Sequence, residues 1–267
     1  MSYKDSPVVL ISGFKAGTWL MRKMLTSLTG MEFFEPKIIP GEKKYYNIKQ
    51  LQFVQNHFYS WHLVPTPEVV KILNENSAKT IFVMRNIYDL VVSIYYHFYN
   101  DIDADIGRGN SKDRFLKQFS FEEGLSLIIT GFNEGNGIRW NGMEEVLRHY
   151  NEICKASVQC DNIIIEYDEL VNNKEYVIKH INTYLKLNKN EAKIRQIVYE
   201  SSFSSMKKDA QKKKQGVSHF REGKAGSNRE KLSEFHKIQL RQIIKMTVPE
   251  IYNNAQKVQL SKILSGS

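Results

Sequence analysis

Hydrophobic and polar positions along the 267-residue chain follow two rhythms. Val8, Val9, Leu10 and Ile11 form a run that is apolar on both faces, as a central strand covered by helices requires. Beyond a glycine-bearing turn, Leu20, Met21, Met24, Leu25 and Leu28 recur at helical spacing while Arg22 and Lys23 point elsewhere, so residues 8–25 read as strand, loop and helix. Residues 31–48 show no sustained period and predict an irregular surface segment. Residues 52–63 alternate weakly and predict a second strand ending near His62, after which Pro65 and Pro67 open a helix. TIFVM at 80–84 predicts a third, buried parallel strand with Arg85 and Asn86 at its end. Residues 89–98 predict a helix burying Leu90, Val91, Ile94, Tyr95 and Phe98, with Ser93 in its middle. Residues 101–110 read as a loop, 121–130 as a helix, 138–150 as a surface helix carrying Trp140, 162–167 as a fourth strand and 175–185 as the helix after it. From Ser201 the pattern breaks into a basic run (Lys207, Lys208, Lys212, Lys213, Lys214), a loop over 216–228 and a last helix from Arg229.

Strands alternating with helices predict an α/β fold: a single domain over residues 1–267 with a mostly parallel central sheet flanked by helices on both faces. Such sheets bind ligands at the C-terminal ends of their strands, where Lys15, His62, Arg85 and Tyr167 fall.

Composition narrows the partners. An apolar fraction of 42% is enough for a substantial core, and 38 Lys and Arg against 29 Asp and Glu give a net charge of +9, which attracts anions. A nucleic acid, a membrane surface or a multiply charged cofactor would each satisfy that charge. No run of about 18 apolar residues occurs and the N-terminus lacks a basic-then-apolar leader, so the expectation is a soluble, cytoplasmic chain with no membrane partner. Cys154 and Cys160 form neither a disulfide framework nor a metal pattern and read as structural thiols. The lysine run reads as a solvated face.

The turn at 13–17 is the strongest local signal. A strand, loop and helix unit gathers backbone N–H groups and the positive end of a helix dipole at one point, which suits phosphate or sulfate. Gly13 and Gly17 permit unusual backbone angles, and Lys15 lies within reach of what the amides hold. The nucleoside-triphosphate signature needs four residues between its glycines and a Lys-Ser/Thr pair directly after the second. Here three residues separate Gly13 from Gly17 and Thr18 follows with no lysine between, so an ordinary P-loop kinase is disfavoured.

Several segments together resemble the cytosolic sulfotransferases that use 3'-phosphoadenosine 5'-phosphosulfate (PAPS). FKAGTW at 14–19 is similar to the family's PKSGTTW loop, which holds the 5'-phosphosulfate and implies contacts from Lys15, Ala16, Gly17, Thr18 and Trp19. RNIYDLVVSIYYHFY at 85–99 looks like the family's RNPKDVAVSYYHF, whose arginine and serine bind the 3'-phosphate; they map onto Arg85 and Ser93. FREGKAG at 220–226 is similar to the late FRKGxxG loop that closes over the same phosphate, which implies roles for Arg221, Glu222 and Gly223. SWHLVP at 60–65 takes the place of THLP and makes His62 the resemblance's catalytic base, with His57 as the competitor. NIIIEYDEL resembles a YEDL strand end and places Tyr167 at the adenine, while SSFSSMKK at 201–208 matches TSFxxMKK and adds Ser201, Phe203 and Met206 to the nucleotide site.

The chain also departs from that pattern. The family's loop tryptophan lies five residues after its lysine, whereas Trp19 lies four after Lys15 and Leu20 takes the matched position. Ala16 replaces a serine, Glu222 stands where the family has lysine, and GDWK becomes Gly226-Ser227-Asn228-Arg229. No late threonine-valine dimer motif is recognisable after Arg229, so no oligomeric state is implied.

The resemblance implies transfer of the sulfuryl group of PAPS to a hydroxyl or amine of a small molecule, with His62 taking the acceptor's proton, Lys15 stabilising the leaving phosphate and no metal. PAP is the product. Phe33, Phe34, Tyr45, Tyr46, Phe58 and Trp61 imply a partly apolar or aromatic acceptor pocket. The alternatives are a small-molecule or nucleoside kinase, which needs magnesium and ATP, and a basic nucleic-acid-binding module, which leaves the strand-end histidine and the Arg85/Ser93 pair without a purpose; the expected partners therefore exclude nucleic acid.

Overall fold

The computed structural model describes residues 6–36, 46–100, 112–135, 138–213 and 228–247. In chain order the strands are β1 (Val8–Ser12), β2 (Glu32–Phe34), β3 (His57–Trp61), β4 (Lys79–Met84), β5 (Phe132–Asn133), β6 (Arg139–Trp140) and β7 (Asn162–Glu166). The α-helices are α1 (Thr18–Thr29), α2 (Pro67–Glu75), α3 (Ile87–Tyr99), α4 (Lys112–Leu116), α5 (Phe121–Thr130), α6 (Met143–Ser157), α7 (Tyr167–Asn172), α8 (Lys174–Tyr184), α9 (Glu191–Glu200), α10 (Phe203–Lys213) and α11 (Glu234–Thr247). They fall into two compact units that interleave along the chain, residues 1–85 with 149–201 and residues 86–148 with 202–267.

The first unit is built on a five-stranded parallel sheet in the order β2-β3-β1-β4-β7. All five residues of β1 are buried, because side chains alternate between two covered faces. Val8 and Leu10 join Phe58, Ile81, Val83 and Ile165 in one core, against Met21, Met24, Leu25 and Leu28 of α1 and against Val177, Ile178, Ile181, Ile194 and Ile197 of α8 and α9. Val9, Ile11, Phe82 and Met84 project to the opposite face and are equally buried. Gly30, in the left-handed region at φ 78, ends α1, and Pro67 opens α2 with the φ its ring presets.

Within the second unit, α3 starts where the Asn86 side chain accepts from the Tyr88 and Asp89 N–H groups, and α5 starts with a reciprocal cap between Ser120 and Glu123. Asp89 is fully buried. Its Oδ1 accepts from the N–H groups of Asn228 (3.1 Å) and Arg229 (2.9 Å), and its Oδ2 pairs with Arg229 Nη2 at 3.1 Å.

Several sequence expectations change. Residues 32–34, expected to be irregular, form edge strand β2 in register with β3. The helix expected over 138–150 begins at Met143: Trp140 lies instead in a hairpin with Phe132, its indole N–H donating to the Ile128 carbonyl at 2.8 Å. Gly131 (φ 93) and Gly142 (φ 78) flank that hairpin, and a Cβ on either would meet backbone atoms within 3 Å. The pattern does not break at Ser201, since α10 follows, and after a 3-10 turn at Arg229–Lys231 the last α-helix among the described residues starts at Glu234. Arg22 does not point away: it is buried. The expected loop over 101–110 lies outside the described residues, as do Lys214, Tyr45 and most of 216–228.

Asp89→Ala removes one buried charge and strands its partners, so unfolding free energy in urea should fall by about 3 kcal/mol. A change below about 1 kcal/mol would mean that Asn228 and Arg229 find other acceptors.

Candidate functional site

The C-terminal edge of the sheet gathers the chemistry of the first unit. After β1 the chain turns through residues 13–17. The Gly13 N–H donates to the Val83 carbonyl (2.9 Å) and the Ala16 N–H to the Gly13 carbonyl (3.1 Å), so the turn is pinned to β4 and to itself. Lys15 holds φ 58 and Gly17 φ 96, two left-handed residues that reverse the chain into α1. Gly13 is not left-handed. It is required by proximity, because a Cβ there would stand 2.5 Å from Cε1 of Tyr150. The Met21 N–H is bonded to the Gly17 carbonyl (3.1 Å), and the N–H groups before it sit at the positive end of α1. Ala16 is fully buried, and Thr18, also buried, exchanges a 2.7 Å hydrogen bond with Ser12 Oγ.

Arg85, at the end of β4, is buried and faces this turn. Its backbone N–H donates to the Tyr150 hydroxyl (2.9 Å), its Nη1 donates to the Lys15 carbonyl (3.2 Å) and its guanidinium lies 4.1 Å from the centre of the Tyr167 ring. Tyr167 therefore opens α7 rather than ending β7, and its ring also fills the space beside Gly17, where a Cβ would come within 2.8 Å. Burial pushes the Tyr150 phenol far above its ordinary pKa, so it stays neutral and serves Arg85 as a hydrogen-bond partner.

His62 follows β3 directly and is half-buried. Its Nδ1 lies 2.7 Å from the Ser12 carbonyl and 3.3 Å from Ser12 Oγ. A carbonyl oxygen only accepts, so Nδ1 carries the hydrogen and Nε2 is the basic nitrogen of the neutral ring. Phe14 and Trp61 flank the imidazole, with ring centres 6.0 and 5.6 Å away. The competitor His57 sits at the far end of β3, where its Nδ1 meets the Gln55 carbonyl at 2.8 Å.

Three residues of this edge carry no sequence signal. His149 on α6 is buried, with Nε2 3.1 Å from the Leu63 carbonyl. Burial, then repulsion by His62, lowers its pKa to about 3. Tyr150 follows it on the helix. Arg22 of α1 donates from Nε to Ser60 Oγ (2.7 Å), from Nη2 to the Ser60 carbonyl (2.9 Å) and from Nη1 to Glu35 (3.0 Å), while its guanidinium lies 4.3 Å from the centre of Phe33.

Lys15, Ala16, Gly17, Thr18, His62, Arg85 and Tyr167 thus share one strand-end neighbourhood of the first unit. Trp19 is exposed on the second position of α1. Ser201 belongs to the same unit, but its hydroxyl donates to the Ile197 carbonyl (2.7 Å) and so serves the end of α9. Ser93 on α3 and Phe203 and Met206 on α10 belong to the second unit and are all partly buried. Arg221, Glu222 and Gly223 lie outside the described residues. Among the described residues no cluster of His, Cys, Asp and Glu has metal-binding geometry, and no helix is long and apolar enough to cross a membrane.

The model of the sulfotransferase domain family matches residues 5–261. Sulfotransferase 6B1 of Mus musculus is 28% identical over 155 residues, which is 57% of this chain and 45% of that protein, so the match spans less than half of the relative. The crystal structure of mouse sulfotransferase SULT7A1 complexed with PAP superposes with a TM-score of 0.70 at 18% identity, covering 97% of this chain and 87% of the other. That of retinol dehydratase in complex with androsterone and inactive cofactor PAP gives 0.64 at 14%, covering 93% and 81%.

His149 is neutral in the folded chain and free to ionise near the ordinary imidazole value of 6.5 when unfolded, so the unfolded chain binds the extra proton between pH 6.5 and about 3. Stability therefore rises with pH across that window, is complete above it, and falls by up to tenfold in the folding constant per unit on acidification. Urea titrations from pH 7 to 4 should show this slope reduced in His149→Asn; an unchanged slope would mean that other groups set the acid limit.

Proposed function

Because the chain belongs to the sulfotransferase domain family, we propose that it transfers the sulfuryl group of PAPS to a hydroxyl or amine of a small molecule, and that its two interleaved units act as one sulfotransferase domain. The observation that carries the catalytic assignment is the bond from His62 Nδ1 to the Ser12 carbonyl, which sets the basic Nε2 on the ring whose anchor is the last residue before the anion-binding turn. The donor set fits the cofactor: a pinned turn, the positive end of α1, one lysine and a buried arginine are suited to a ligand with several negative charges.

PAPS supplies the sulfuryl group, whose bond to the 5'-phosphate oxygen breaks as a bond to the acceptor oxygen or nitrogen forms. His62 Nε2 accepts the proton that the acceptor loses. Lys15 and the first-turn N–H groups of α1 hold the charge that develops on the departing phosphate, and the planar guanidinium of Arg85 binds the 3'-phosphate. Tyr167 borders the nucleotide. Ser93, Phe203, Met206, Ser201, Arg221, Glu222 and Gly223 are assigned nucleotide contacts on the strength of the resemblance alone. Lys15, Arg85 and the α1 N-terminus supply the positive charge themselves, so the reading requires no metal. Phe14 and Trp61 beside His62 favour an acceptor with an apolar or aromatic body.

A screen of phenols, alcohols and amines with labelled PAPS tests the reaction, and transfer of label to none of them speaks against it. Against a transferred acceptor, His62→Ala should lower turnover by roughly a hundredfold to ten-thousandfold while PAP affinity stays nearly constant. Equal losses of binding and rate would mark His62 as structural. Arg85→Ala should weaken PAP far more than adenosine 5'-phosphosulfate, which lacks the 3'-phosphate; a charge-assisted bond is worth about 1.5–3 kcal/mol.

A further inference from the structure

We infer that Trp19 contacts the acceptor and not the adenine, an assignment that rests on the sulfotransferase reading and reverses the role its place in the loop implies. Consecutive residues of a helix are separated by about 100°, so Trp19 and Leu20, the second and third residues of α1, face different flanks of it. Gly17 abuts the Tyr167 ring. Leu20 is half-buried and packs, like Tyr167, against the core under α1, α7 and α8. The flank of α1 that carries Leu20 is thus the Tyr167 flank, on the β4 and β7 side.

Trp19 lies on the other flank. Its ring centre is 5.7 Å from the guanidinium of Arg22, and that guanidinium is fixed to Ser60 on β3 and to Glu35 just past β2, with Phe33 of β2 4.3 Å beneath it. The sheet order β2-β3-β1-β4-β7 puts four strand spacings, about 19 Å, between the β2 and β7 edges. His62 and Trp61 end β3, on the Trp19 side of the central turn, whereas Arg85 and Tyr167 end β4 and β7 on the other. Trp19 and Phe33 are 44% and 37% exposed, enough for each to present apolar surface to a ligand. Arg22 holds both rings by cation–π contact from a buried, hydrogen-bonded seat. The indole therefore serves as a platform for the apolar ring of an acceptor whose nucleophile reaches His62, and Leu20, with no stacking face, borders the adenine side.

Calorimetry with PAP and steady-state kinetics on Trp19→Leu and Trp19→Ala separate the two roles. The expected result is a PAP Kd within about twofold of the unsubstituted protein, and a loss of about tenfold or more in kcat/KM for a planar aromatic acceptor such as 2-naphthol, carried by KM. Stacking on a base is worth about tenfold in affinity, so a PAP Kd raised that much in either variant overturns the assignment. An acceptor KM unchanged in both variants overturns it as well. If the unsubstituted protein itself fails to bind PAP, it is the sulfotransferase reading that falls, a result distinct from either.

Discussion

Tyr150 fixes the relation between the two central strand ends, and the site depends on that relation. Its ring occupies the space that any side chain at position 13 would need, and its hydroxyl accepts the N–H of Arg85. The Gly13 N–H in turn donates to the Val83 carbonyl. One buried phenol therefore sets how closely the turn after β1 approaches the end of β4, and so brings the Arg85 guanidinium onto the Lys15 carbonyl. Its neutrality is assured by burial, which penalises the phenolate.

A second constraint sits one strand over. His62 is anchored most closely to the backbone carbonyl of Ser12, so its tautomer follows from the chain path of β1. His149 lies buried beside this segment and bonded to the Leu63 carbonyl, and its neutrality keeps a positive charge away from His62. The proposed anion grip and the proposed proton acceptor thus lie at the same three strand ends, an arrangement suited to in-line transfer between a fixed anion and an incoming nucleophile.

Much of this was legible in the sequence because it is local. β1 and β4 are continuous apolar runs of the kind that only a doubly covered parallel strand needs, and the turn between β1 and α1 announces itself by two glycines and a lysine at close spacing. What escaped the pattern is non-local or thinly encoded. β2 is three residues long, with Glu32 and Phe33 exposed, so nothing in its composition separates it from a loop; only pairing with β3 makes it a strand. Arg22 reads as a surface residue of an amphipathic helix, yet Ser60 and Glu35 satisfy its donors in the interior. His149 and Tyr150 act on residues 86 and 65 positions away. Trp140 was readable in principle, since Gly131 and Gly142 mark both ends of its hairpin, but the apolar spacing after residue 138 mimics a helix.

The strand-end cluster of Lys15, Arg85 and the α1 N-terminus is proposed as a metal-independent site for a 3',5'-phosphorylated adenosine. Titration calorimetry of PAP against the full chain, with excess chelator present, measures this directly. Saturable binding at about one nucleotide per chain, unchanged by the chelator, is expected. No binding, or binding confined to ATP in the presence of magnesium, would contradict it.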